Sequence, residues 1–197
     1  KFLQDVSALA KGLIAGGIEP GDKVAVMSPT SYEWTLVDFA IWFAGGVTVP
    51  IYETSSARQV EWIIQDAGVR RVFAGDRSLV ALVSDVLAGS DLLRDRLVNV
   101  VRMDYDGEAP DLASLAAAGT GVTDAELERH RSQAGLDDVA SLVYTSGTTG
   151  NPKGCEITHG NFALVAKNIV AFLPELLLQD QARTLMFLPL AHVLARA

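Results

Sequence analysis

Apolar residues recur at helical spacing at Leu3, Val6, Leu9, Ala10, Leu13 and Ile14, which predicts a helix closed by Gly16-Gly17. A Pro20-Gly21 turn follows, then the short apolar run Val24 to Met27, which predicts a buried strand. The unit repeats as a helix from about Tyr32 to Ala44, Gly45-Gly46, and a strand from Val47 to Ile51. It repeats again as a helix from about Ala57 to Asp66, a stop at Ala67-Gly68, and a strand from Val69 to Ala74. A fourth helix carries Leu79, Leu82, Val83, Val86 and Leu87 on one face, stops at Gly89, and leads to a strand from Leu97 to Met103. Each helix ends in Ala-Gly, as expected where the closing residue needs positive φ. Helices alternating with β-branched strands predict an α/β fold of layered, mostly parallel sheets flanked by helices, with ligands beyond the carboxyl ends of the strands.

From Asp104 to Asp138 the chain turns acidic and Ala-rich. Thr123-Asp124-Ala125-Glu126 fits a capping box, predicting a surface helix to about Gln133. The expected organisation is an α/β unit over 1–105, an acidic connector over 106–138, and a second α/β unit beginning within 139–197.

Composition narrows the partners. The 197 residues are 49% apolar, enough to fill a core, and 16 basic against 24 acidic side chains give a net charge of −8, which repels nucleic acid. A single cysteine, Cys155, excludes an internal disulfide framework and a cysteine-clustered zinc site, and suits a reducing cytoplasm. The uncharged stretch from Phe39 to Tyr52 falls short of the ~20 residues a membrane-spanning helix needs. The start at Lys-Phe-Leu-Gln-Asp, without initiator Met or signal-peptide profile, and the stop at Ala-Arg-Ala in mid-element predict a piece of something larger.

The chemistry concentrates between Val139 and Asn161. A strand candidate, Val139 to Tyr144, runs into Thr145-Ser146-Gly147-Thr148-Thr149-Gly150-Asn151-Pro152-Lys153-Gly154, where seven of ten residues are glycine or hydroxyl-bearing. Glycines let backbone N–H groups approach an anion, hydroxyls add donors without bulk, and Lys153 adds a mobile positive charge. A plain hairpin turn needs only about two to five residues and no lysine. A Walker A loop is excluded because Gly154 follows Lys153 and Cys155-Glu156-Ile157 reads as a returning strand. Strand, phosphate loop, strand is the expectation, with a helix starting near Thr158.

Residues 144–154, Tyr-Thr-Ser-Gly-Thr-Thr-Gly-Asn-Pro-Lys-Gly, resemble the signature loop of the adenylate-forming superfamily, which holds acyl-CoA synthetases, peptide-synthetase adenylation domains and luciferases. Thr158-His159-Gly160-Asn161 is similar to that family too. Leu188-Pro189-Leu190-Ala191-His192 looks like its next motif in long-chain form, and Tyr32-Glu33-Trp34 and Val49 to Ser56 resemble the bacterial long-chain subgroup. The resemblance is weakest over Asp104 to Asp138. It implies ATP-dependent activation of a fatty acid to acyl-AMP and pyrophosphate, then thioester formation with coenzyme A. It further implies that Thr145, Ser146, Gly147, Thr148, Thr149, Gly150 and Lys153 hold the ATP phosphates, that Thr148 can ligate Mg²⁺, and that His192 lines the junction of acyl tunnel and adenylate. The family's later motifs, including a Mg²⁺-binding Glu, a ribose-binding Asp and a lid with a catalytic Lys, are not in these residues, so 1–197 alone is expected to make no acyl-CoA. A cytoplasmic parent is expected, with peripheral membrane contact and oligomeric state left open. Two alternatives stand beside this reading: an acyl-AMP ligase loading a carrier protein, and a non-catalytic nucleotide- or acyl-binding module.

The remaining candidates receive structural expectations. Cys155 lacks a basic neighbour and reads as a packed thiol. Ser146 lacks the Gly-x-Ser-x-Gly context of a hydrolase elbow. His159, at a helix start, suits a local polar contact as well as a ligand role, while His130 reads as solvated. Trp34, Phe39, Trp42 and Phe43 read as the packing face of one helix. Arg70-Arg71 and the Arg94/Arg96 pair are too sparse for a nucleic-acid stripe and read as solvated edges or helix ends.

Overall fold

The computed structural model describes residues 1–93, 98–104, 110–145, 151–179, 183 and 188–196. The predicted alternation is present as α1 (Phe2–Ala15), β1 (Lys23–Met27), α2 (Tyr32–Phe43), β2 (Val47–Ile51), α3 (Ala57–Ala67), β3 (Arg71–Ala74), α4 (Arg77–Gly89) and β4 (Asn99–Arg102). Then come α5 (Leu112–Ala118), a 3₁₀ turn (Gly119–Gly121), α6 (Asp124–Arg131), β5 (Val139–Thr145), β6 (Lys153–Thr158), α7 (His159–Phe172), α8 (Pro174–Leu177) and α9 (Val193–Arg196). The strands form one sheet in the order β4-β3-β1-β2-β5-β6. Every pairing is parallel except that of β5 with β6.

Alternation along each strand sends side chains to both faces, and both are covered. Val24, Val26, Phe73 and Val101 pack under α1 and α2, together with Leu112, Leu115 and Leu127 of the 106–138 segment. Ala25, Met27, Val49, Ile51, Val72 and Ala74 pack under α3 and α4. The chain steps from β1 outward to β2, then returns past β1 to β3, so α1 and α2 cover one face and α3 and α4 the other. That reversal makes the carboxyl ends of the strands the ligand side of the sheet.

Three of the four expected glycine closures have positive φ, at Gly17, Gly45 and Gly68. Gly89 instead remains the last residue of α4, and Ser90 ends it in extended backbone. Gly16 has a different use: a Cβ there would lie 2.5 Å from Nη2 of Arg71. Arg71 is therefore no solvated edge residue. It is 6% exposed, its guanidinium lies under the end of α1, and burial pulls its pKa below the ordinary value. Arg70 is half-exposed and ion-pairs with Asp22 at 2.8 Å; Arg94 and Arg96 lie outside the described residues.

The Ala-rich stretch contains a helix that its composition hides. Asp111 and Ser114 cap α5 reciprocally, and Leu112 and Leu115 are buried against α1. Thr123 caps α6 as expected, through the Glu126 N–H. His130 corrects the expectation of a solvated ring: it is 1% exposed, with Nδ1 3.1 Å from the Ala44 carbonyl and Nε2 3.0 Å from Arg129. Arginine only donates, so Nε2 accepts and Nδ1–H donates to Ala44.

Candidate functional site

β5 and β6 meet antiparallel with Tyr144 opposite Gly154 and Thr145 opposite Lys153. The structure thus brings Thr145 and Lys153, two of the predicted phosphate-binding residues, side by side. Both are exposed, at the carboxyl end of β5. Ser146, Gly147, Thr148, Thr149 and Gly150 lie outside the described residues. β2 runs parallel to β5, and its carboxyl end continues into a recess of about 290 Å³. Ile51, Tyr52, Thr54, Gln59, Tyr144 and Pro152 line that recess.

Helix α3 flanks this hairpin. Its start is fixed by a capping box between Ser56 and Gln59, and it buries Val60, Ile63 and Ile64. Trp62 Nε1 donates to the Pro152 carbonyl at 2.9 Å, and the Tyr144 hydroxyl donates to Asp66 at 2.6 Å. Burial, then the hydrogen bond to Asp66, push the Tyr144 phenol above its ordinary pKa. Cys155 departs from expectation: it is exposed, because among the described residues β6 is the outermost strand and its residues Lys153 to Glu156 are open to solvent.

Helix α7 begins where expected, with Thr158 and Asn161 forming a reciprocal capping box. His159 makes local contacts. Its N–H donates to the Asp138 carbonyl at 3.0 Å, and its ring meets Trp42 edge-on at 5.5 Å. Burial lowers the His159 pKa, while Asp138 and Asp38 pull it back up. The folded state therefore favours the neutral ring, a contribution present above the unfolded value of about 6.5 and lost as pH falls. The unfolding midpoint of the intact protein should decline as pH drops below about 6.5, and His159→Phe should flatten that decline. Equal slopes in the two proteins would rule this out.

A second constellation escapes sequence reasoning. Asp38, in the middle of apolar α2, is 4% exposed and paired with Arg196 of α9, whose Nε lies 3.0 Å from its Oδ2. Arg196 Nη1 also donates to Ser141 Oγ at 2.7 Å, and Ser141 donates to the Thr48 carbonyl at 2.9 Å. The guanidinium sits within 5.1–5.4 Å of the ring centres of Trp34, Trp42 and Phe162. Burial pushes the Asp38 carboxyl up, and Arg196 opposes the shift. An acid flanked by apolar residues in the middle of α2 is the available signal. The aromatic set divides accordingly: Trp34 is fully buried, Trp42 donates to the Ala140 carbonyl at 2.8 Å, and Phe39 lies at the rim against Phe2.

The 188–196 segment is docked at its other end by Thr30, whose hydroxyl donates to the Leu188 carbonyl and accepts from the Leu190 N–H. His192 is exposed on the turn before α9. Among the described residues, no group of three or more His, Cys, Asp or Glu side chains could hold a metal, and no helix is long and apolar enough to cross a membrane.

The sequence profile of the AMP-binding enzyme family matches residues 1–197. A long-chain-fatty-acid–CoA ligase, FadD15 of Mycobacterium bovis, is 45% identical over 193 residues, covering 98% of this chain and 31% of the relative. The peroxisomal long chain acyl-CoA synthetase 7 of Arabidopsis thaliana is 32% identical over 96% of this chain and 27% of its own length. ATP-bound MatB from Rhodopseudomonas palustris superposes with a TM-score of 0.76 at 26% identity, covering 99% of this chain and 35% of that one. The chain spans about a third of the length of the curated relatives it matches.

Proposed function

The chain belongs to the AMP-binding enzyme family, and on that premise we propose that the whole protein is a long-chain fatty acid–CoA ligase. The observation that carries the proposal is the pairing of Thr145 with Lys153 at the carboxyl end of the parallel sheet. It sets a hydroxyl and an ammonium where such sheets bind ligands. The 45% identity to a long-chain-fatty-acid–CoA ligase supports the substrate class.

In the reaction, a fatty acid carboxylate oxygen attacks the α-phosphorus of ATP, and the bond to pyrophosphate breaks. The thiolate of coenzyme A then attacks the acyl carbon, and AMP leaves. Lys153 neutralises charge on the departing phosphates, and the hydroxyl of Thr145 donates to them; this is positioning and electrostatics rather than covalent work. Ser146, Gly147, Thr148, Thr149 and Gly150 complete the phosphate loop, and His192 lines the junction of acyl chain and adenylate. Thr148 is the residue that would hold Mg²⁺. Its hydroxyl is a hard oxygen donor of the kind Mg²⁺ takes, alongside the carboxylate that the family resemblance places in a later motif. When bound, the ion supplies further charge neutralisation on the phosphates. A cytoplasmic location is part of this proposal, supported by the single cysteine.

Pyrophosphate exchange by the full-length protein, measured with palmitate, ATP and Mg²⁺ and then with coenzyme A, tests this reading. Exchange plus a CoA ester is expected. Exchange without the ester would mean an acyl-AMP ligase serving a carrier protein, and no exchange would mean a non-catalytic binding module.

A further inference from the structure

Trp62 and Asp66 stand one turn apart on α3, hence on the same side of the helix. Each reaches a different arm of the β5–β6 hairpin: Trp62 the carbonyl of Pro152, just before β6, and Asp66 the hydroxyl of Tyr144 in β5. Neither contact is what buries α3, which Val60, Ile63 and Ile64 accomplish. Pro152 immediately precedes Lys153, and Tyr144 immediately precedes Thr145. The Trp62 bond thus holds the backbone one residue before Lys153, and the Asp66 bond anchors the side chain of the residue before Thr145.

We propose that Trp62 and Asp66 are positioning residues that set the placement of Lys153 and Thr145 for the ATP phosphates, an inference that rests on reading these two as phosphate-binding. Among the described residues β6 is the last strand of the sheet and its ladder partner is β5, so within them contacts from outside the ladder are needed to fix the hairpin's twist against the sheet. A recognition site needs its groups held within about 0.5 Å. Two bonds from one rigid helix turn, one to each arm, supply that restraint. Their separations in sequence, 90 and 78 residues, make them tertiary restraints rather than parts of the hairpin's own turn.

The test measures pyrophosphate exchange in the full-length protein for Trp62→Phe, Tyr144→Phe, Asp66→Ala and Asp66→Asn, with Lys153→Ala as reference. Trp62→Phe and Tyr144→Phe each delete one polar contact and keep an aromatic ring. They should raise KM for ATP about two- to tenfold, the span of one neutral hydrogen bond. KM for the fatty acid should stay unchanged, and the thermal midpoint should fall by no more than about 2–4 °C. Asp66→Asn keeps an oxygen for the phenol and should restore most of the ATP affinity that Asp66→Ala loses. If Lys153→Ala leaves exchange unaltered, the phosphate-site reading itself falls. If Lys153→Ala is impaired while Trp62→Phe and Tyr144→Phe bind ATP normally, only the positioning role falls. A parallel rise in KM for both substrates with a thermal midpoint lowered further than this also overturns it, because that pattern marks general destabilisation. Should Asp66→Ala fail to fold, the two phenylalanine variants decide the matter.

Discussion

Asp38→Ala should lower the stability of the intact protein by about 3–5 kcal/mol, the cost of leaving one partner of a buried ion pair uncompensated. The size follows from what remains. Arg196 has a side chain 2% exposed, wedged against three aromatic rings, and a guanidinium cannot shed its charge to escape. The opposite truncation, Arg196→Met, should cost less. A stranded Asp38 can take up a proton, and burial already drives its pKa upward. Combining the two substitutions should recover part of the loss, since no lone charge is then buried. Urea unfolding of the three variants measures this. A loss below about 1 kcal/mol for Asp38→Ala, the range of exposed pairs, would contradict the buried geometry.

Lys153→Ala should reduce kcat/KM for pyrophosphate exchange about 10- to 150-fold, the effect of losing one charge-assisted contact of roughly 1.5–3 kcal/mol. Lys153 is exposed at the edge of the sheet, so its removal should leave the unfolding midpoint in place. An unchanged exchange rate would mean that the ammonium does not reach the nucleotide. Lys153→Arg separates charge from shape. A planar guanidinium keeps the charge but not the compact, rotatable ammonium, so partial activity is expected.

What the sequence discloses here is local. Helices α1 to α4 and strands β1 to β3 follow from apolar spacing and from the glycines between them. The cap of α7 could be read from Thr158 and Asn161, and the returning strand β6 from the run Cys155-Glu156-Ile157. Other features depend on partners far along the chain. Arg71 and His130 look solvated in sequence because charged neighbours surround them, yet Gly16 makes room for one and the Ala44 carbonyl anchors the other. Helix α5 is obscured because an Ala-rich acidic run has the composition of a linker, and only Leu112 and Leu115 betray a buried side. Cys155 reads as packed because no His or basic side chain adjoins it in sequence, whereas among the described residues β6 lies at the sheet's edge. Trp62, Asp66 and Asp38 carry no local motif. Their roles come from contacts with Pro152, Tyr144 and Arg196, which periodicity cannot reveal.

Asp38 and Arg196 are 158 positions apart. A ribosome adding about 5–20 residues per second delivers the guanidinium roughly 8–30 s after the carboxylate. During that interval the nascent α2 can close against the sheet only by protonating Asp38 or by burying its carboxylate unpaired, and either weakens the packing. Completion of the amino-terminal layer is thereby tied to translation of the region bearing Arg196, and a stall before that codon should yield a chain that proteases cut readily.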